Sequence, residues 1–154
     1  MQVFKNLRII GIDHGYGNIK TANTVTSTGV SVFETEPTFE GNTIFYDGRY
    51  YRFGEGHKPF ISDKTEDGDF YAATLFGIAR ELSREKIYEA DVHIATGLPL
   101  TWVKNQRESF REYLMKNPDV TFRYKKNLYK IHIAGCSIYP QGYAAVIGRL
   151  GEMN

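Results

Sequence analysis

Apolar and polar positions follow one another along this chain in short strand-like blocks, interrupted by stretches with helical period. Leu7-Arg8-Ile9-Ile10-Gly11-Ile12-Asp13 is mostly apolar and β-branched, the pattern of a strand buried on both faces. His14-Gly15-Tyr16-Gly17 then turns the chain into a second strand at 18–23, and 30–35 offers a third after Ser27-Thr28-Gly29. These three form an antiparallel meander. Asp47-Gly48 lies between aromatic runs at 45–46 and 50–53, a strong signal for a type I′ hairpin. It predicts a small β insertion at about 38–62. The charged segment 62–68 should be exposed.

A helix is predicted over about 69–86, with Tyr71, Leu75, Ile78, Ala79 and Leu82 on one stripe and Asp67 or Asp69 as its cap. A strand at 91–96 runs out into Gly97-Leu98-Pro99-Leu100. Thr101 can cap a second helix over 102–116, with Val103, Phe110 and Leu114 on its apolar side. Asn117-Pro118 ends it, because proline cannot continue a helix and restricts the residue before it. Segments 120–124 and 128–133 pair around Lys125-Lys126-Asn127, a short strand follows at 136–139, and a last helix runs over about 141–150. Apart from the insertion, the order is β-β-β-α-β-α-β-α. That is an α/β domain with a mixed five-stranded sheet and helices on its faces.

Composition narrows the class. At 154 residues the chain is long enough for one domain with a proper core. Its formal charge is +1, from 19 Lys+Arg against 18 Asp+Glu, which argues against a protein held to nucleic acid by bulk charge. Aromatic residues make up 14% of the chain, far from the composition of a disordered protein. A lone cysteine, Cys136, excludes an internal disulfide and reads as a small buried residue. No apolar run approaches the ~20 residues that span a bilayer, and the start lacks the apolar core of a signal peptide, so a cytoplasmic domain without membrane contact is expected. His14, His57, His93 and His132 have no metal-ligand spacing; His93 and His132 fall in strands as packed or surface residues.

The chemistry collects where strands end. In open α/β sheets, ligands bind at the carboxyl ends of parallel strands. If the strands ending at Asp13, at Thr96-Gly97 and at Tyr139-Pro140-Gln141 are the parallel ones, their ends converge on one edge. There the set Asp13-x-Gly15-x-Gly17-x-x-Lys20 makes sense as a triphosphate site. Gly15 and Gly17 let backbone N–H groups approach a phosphate, and alternation puts Asn18 and Lys20 on one face. Asp13 cannot favourably face phosphate oxygens without a cation between them, and Mg²⁺ is commonly held by one carboxylate and several waters. The plainer alternative is a hairpin turn that happens to contain glycines.

Ile9-Ile10-Gly11-Ile12-Asp13-His14-Gly15-Tyr16-Gly17-Asn18-Ile19-Lys20 resembles the first phosphate loop of the superfamily of actin, the heat-shock ATPases and the sugar kinases. Its form is most similar to the bacterial and archaeal actin-like ATPases of the ParM/StbA kind. Ala95-Thr96-Gly97-Leu98-Pro99-Leu100 resembles the strand-to-helix junction of that group, and Tyr139-Pro140-Gln141-Gly142-Tyr143-Ala144-Ala145 its first connecting segment. The resemblance implies an RNase H-like, actin-type fold and an ATP-hydrolysing protein that polymerises. It assigns Asp13 to Mg²⁺, directly or through water, and Gly15, Tyr16, Gly17, Asn18 and Lys20 to the ATP phosphates. Gln141 falls where the family positions the hydrolytic water. A glutamine is no base near neutral pH, so its catalytic role would be orientation; by position alone it is a helix-start residue after proline. The implied partners are further copies in a filament and an adaptor that links it to plasmid DNA, with no direct nucleic-acid contact. Tyr46, Tyr50, Tyr51 and Phe53 are read either as a cluster that stabilises the hairpin or as a contact between protomers.

A small RNase H-like nuclease shares the strand order and the first aspartate, but needs several carboxylates to hold two metals. Here Thr101-Trp102-Val103-Lys104-Asn105 follows Leu100 without an acid, and Gln141 stands where a nuclease wants Asp or Glu. A scaffold of the same fold without turnover is the third reading, against which Asp13, Lys20 and Gln141 argue. The resemblance also implies a second domain facing the first across the nucleotide. With one phosphate loop and no later Asp-x-Gly-x-x-Thr or glycine-rich adenosine segment, the expectation is that this chain is the N-terminal half of such a protein, inactive by itself.

Overall fold

The β-branched and aromatic segments become strands of one mixed sheet in the computed structural model, which describes residues 2–4, 7–14, 18–21, 25–27, 30–34, 42–53, 68–98 and 100–140. In chain order the elements begin with β1 (Gln2–Phe4), β2 (Leu7–His14), β3 (Asn18–Lys20), β4 (Val25–Ser27) and β5 (Val30–Phe33). The hairpin β6 (Thr43–Tyr46) and β7 (Arg49–Phe53) precedes α1 (Gly68–Arg84). Then come β8 (Glu89–Leu98), α2 (Leu100–Leu114), β9 (Asp119–Tyr124) and β10 (Asn127–Pro140). The strands lie in the order β4-β3-β2-β8-β10-β9-β6-β7-β5, with β1 also on β2. β2, β8 and β10 are parallel neighbours; the other pairings are antiparallel. The mixed α/β sheet with flanking helices is the expected class, but the sheet has ten strands among the described residues instead of five, because the inserted hairpin joins it through β9 and brings β5 with it.

Two parts of the meander differ from expectation. Its third strand is β4 at 25–27, not 30–35. β5 instead crosses to the hairpin, where Val30 to Phe33 lie opposite Phe53 to Tyr50 of β7. Strand preference depends on the neighbours a strand can find, and β7 offers Tyr50, Tyr51 and Phe53. The hairpin turn itself is as expected: Asp47 and Gly48 have φ of 52° and 79°, both positive as type I′ requires. β6 joins the sheet through Ile44 opposite Tyr124 and Phe45 opposite Arg123.

The core lies between the sheet and the helices. Ile10 and Ile12 of β2, Val92 and Ile94 of β8, and Ile131, Ile133 and Ile138 of β10 are all buried. The α1 stripe is buried as its spacing implies, and so are Ala72, Ala73, Thr74, Phe76 and Glu81, so the helix is covered on most sides. A Cβ at Gly77 would stand 3.4 Å from Ile12, which shows how closely α1 rides on β2. α1 ends in a Schellman arrangement: Ile87 N–H donates to Leu82 O and Lys86 N–H to Ser83 O, both at 3.1 Å, with Lys86 at φ 56°. α2 begins at Leu100, so Thr101 is a helical residue and not the cap; Phe110 and Leu114 are buried. Asp69 likewise lies within α1, while Asp67 and the expected helix at 141–150 lie outside the described residues.

β10 unites what reads as two strands. Its first part pairs with β9 through a two-residue turn, Lys125 and Lys126, with φ of 48° and 68°. Its pairing with β8 continues to Pro140, with a bulge where the register passes from Ile133 to Gly135. Bulges terminate one pairing and re-aim a strand. Here the β9 pairing stops at His132, and beyond it Arg111 of α2 donates Nε–H to Cys136 O at 3.0 Å.

Candidate functional site

Three parallel strands side by side must end on the same edge of the sheet. β2, β8 and β10 do so at His14, Leu98 and Pro140. Cross-strand rows run through them: Gly11, Ala95 and Ser137 form one, and Ile12, Thr96 and Ile138 the next. One position further come Asp13 on β2 and the pair Gly97–Tyr139. The convergence inferred from the strand ends is therefore present.

Asp13 lies directly opposite Lys20 in the β2–β3 ladder. The two backbone positions therefore meet at this edge. Gly15, Tyr16, Gly17 and Gln141 lie outside the described residues.

Two devices hold this edge that sequence reading missed. Thr96 is fully buried, and its hydroxyl donates to the carbonyl of Ile12 at 2.8 Å, which pins β8 to β2 one residue before Asp13. On the opposite face, His93 Nε2 and Ser137 Oγ share a hydrogen bond of 2.7 Å. Burial, and secondarily the charge of Arg111, lower the His93 pKa from its usual value, so the ring is neutral near pH 7. The ring occupies the space left by Gly135, where a Cβ would come within 2.7 Å of Nδ1. An isolated glycine inside a strand pattern is a signal for such a close approach, and Gly135 carries it. Thr96 has no comparable mark.

The other residues singled out are structural. Cys136 is buried, and its thiol pKa is pushed up to about 12 by burial, partly offset by Arg111. His132 is exposed and bonded to Asp119 at 3.0 Å. Among the described residues no group of three or more His, Cys, Asp or Glu is placed to hold a metal ion, and no helix is long and apolar enough to cross a membrane.

This architecture is similar to that of solved actin homologues. The apo pSK41 ParM protein superposes with a TM-score of 0.70 at 16% identity, over 88% of this chain and 50% of that one. The archaeal actin homolog Ta0583 in complex with ADP gives a TM-score of 0.63 at 17% identity, over 95% and 47%. The Alp12 filament structure gives 0.63 at 20% identity, over 88% and 47%. The chain thus spans about half the length of the structures it matches. No curated protein matches it. Residues 11–143 match the family described as actin like proteins, N terminal domain. With most of its length covered by that match, the chain belongs to the actin-like proteins.

Proposed function

We propose that this domain is the phosphate-binding half of an actin-like ATPase that assembles into filaments, in the plasmid- or DNA-segregating or cytoskeletal class, in the cytoplasm. The observation that carries it is the single edge where β2, β8 and β10 end, with Asp13 opposite Lys20. Gly15, Tyr16, Gly17, Asn18 and Lys20 would cradle the ATP phosphates, and Gln141 would orient the attacking water. An aspartate at a strand end offers one hard carboxylate oxygen of the kind that holds Mg²⁺ together with waters, and the lysine across the ladder offers a positive charge for phosphate. When bound, that ion would offset phosphate charge. A neighbour of the same fold is solved with ADP and another as a filament, which supports the nucleotide and the self-association. A second domain would supply the rest of the clamp, and an adaptor the link to DNA. The two-metal nuclease reading finds no support in the fold comparisons.

The test is sedimentation of the complete protein with and without ATP and Mg²⁺. Nucleotide-dependent pelleting that Asp13→Ala abolishes is expected, while sedimentation indifferent to nucleotide overturns the reading. Residues 1–154 alone should bind ATP weakly or not at all and show no turnover. Robust ATPase activity from them would contradict the half-site.

A further inference from the structure

β2 and β8 run side by side up to one rung and then part. Their ladder extends from Leu7 opposite Asp91 to Ile12 opposite Thr96 and stops there, although β2 continues to His14 and β8 to Leu98. Beyond that rung the two strands keep different company: Asp13 and His14 pair with β3, while Gly97 and Leu98 pair with β10. The last rung is therefore the crotch of a fork that opens toward the carboxyl ends of the strands, where sheets of this class take up ligands. Asp13 is the first residue of its β2 arm.

Thr96 sits in that crotch. Its side chain is fully buried, and its hydroxyl donates to Ile12 O at 2.8 Å across the fork. A peptide unit is planar, so the carbonyl of Ile12 and the N–H of Asp13 belong to one rigid plate. A bond that holds the oxygen of the plate also holds the direction in which the chain enters Asp13. Ile12 is held from a second side as well: it is fully buried, and three of its side-chain carbons lie 3.4 Å from where a Cβ on Gly77 of α1 would stand. With the β8 ladder ending at Ile12, no further rung from that side repeats the restraint. Threonine suits the task, because a β-branched side chain has few χ1 rotamers and presents its hydroxyl in advance of any ligand. A valine would fill the same space without the cost of burying a hydroxyl, so the donor is the property that sets threonine apart here.

We propose that Thr96 is a positioning residue for Asp13: through the Ile12–Asp13 peptide, its hydroxyl sets how tightly Asp13 holds Mg²⁺. The proposal rests on the assignment of Mg²⁺ to Asp13 made above and adds the group that prepares the ligand for the ion.

Two readouts test it, and one of them needs neither metal nor nucleotide. In the chain of 154 residues, the NMR coupling between the amide and α protons of Asp13 reports its φ. Thr96→Val and Thr96→Ala, neither of which can donate, should move that coupling toward the averaged value of a mobile residue, and Thr96→Ser should leave it near the parent value. In the complete protein, binding of a fluorescent ATP analogue is titrated with Mg²⁺. Thr96→Val and Thr96→Ala should raise the half-saturating Mg²⁺ concentration by about 10–100-fold, and Thr96→Ser by less than about threefold. A purely structural role gives another order. Thr96→Ser removes a buried methyl group and Val92→Ala, four residues back on β8, removes two, so both should lower Tm while the Mg²⁺ titration stays in place. An Asp13 coupling that Thr96→Val and Thr96→Ala leave unmoved overturns the proposal. So does a Mg²⁺ titration that they leave unchanged, or one that Thr96→Ser or Val92→Ala shifts as far. Asp13→Ala is the reference. If it leaves the Mg²⁺ dependence intact, the assignment of the ion fails and this proposal with it; if it removes that dependence while Thr96→Val shifts nothing, this proposal alone fails.

Discussion

β10 keeps β8 as a neighbour but loses β9 halfway along its length, and the bulge at that point is filled from the adjacent strand. The register passes from Ile133 to Gly135 and sets Gly135 opposite His93. A methyl group at 135 would lie 2.7 Å from His93 Nδ1 and 3.0 Å from Cε1, closer than side-chain carbons approach. The ring is also tied, because its Nε2 shares the 2.7 Å hydrogen bond with Ser137. Gly135→Ala therefore has two outcomes open to it. If the ring stays, overpacking costs about 1–3 kcal/mol. If the ring swings out, the Ser137 bond is lost, about 0.5–1.5 kcal/mol, along with the burial of the imidazole. Either way we expect a loss of about 2 kcal/mol, or a Tm lower by about 4–8 °C for a domain of this size. The assay is a double-mutant cycle by urea and thermal unfolding with His93→Ala. Once the imidazole is gone the methyl enters its space, so Gly135→Ala should be close to neutral in that background. Equal losses in both backgrounds, within about 0.5 kcal/mol, would refute the claim that the bulge and the ring are one fitted unit.

Other expectations follow from the same geometry. Lys125 and Lys126 both occupy the left-handed region that Asn-Gly adopts readily, so the double change Lys125→Asn, Lys126→Gly should raise stability by about 1 kcal/mol, read as a higher urea midpoint. Thr96→Val removes the buried donor to Ile12 O and should cost about 1–3 kcal/mol in the same assay. The lowered pKa of His93 means that the unfolded chain takes up its proton more readily than the folded one. Stability should therefore be full above about pH 6.5 and fall as pH drops through it toward the folded value, and His93→Gln should flatten that fall in urea melts at a series of pH values.

What could be read from the sequence and what could not differ by the distance over which the cause acts. Asp47-Gly48 makes its turn by itself, the α1 stripe needs only its own period, and Asp13, Gly97 and Tyr139 mark strand ends because each strand carries its own pattern. The expected phosphate residues were visible for that reason: a glycine turn between an acid and a lysine is a local object. What holds the edge in place is not. Thr96 reaches Ile12 across 84 positions of sequence, and His93 meets Ser137 across 44. The choice of β7 over β3 as partner for β5 likewise rests on a contact between distant segments. The aromatic hairpin shows both scales at once. Alternation already separates Tyr50 from Tyr51, but only the position of α1 says which of them is buried, and only the placement of β9 brings Arg123 onto Phe45. A surplus of aromatics in one segment was therefore a single ambiguous signal. The packed sheet resolves it into a core contribution, Tyr51 and Phe53 against α1, and a half-buried pair, Phe45 and Tyr50, on the other face.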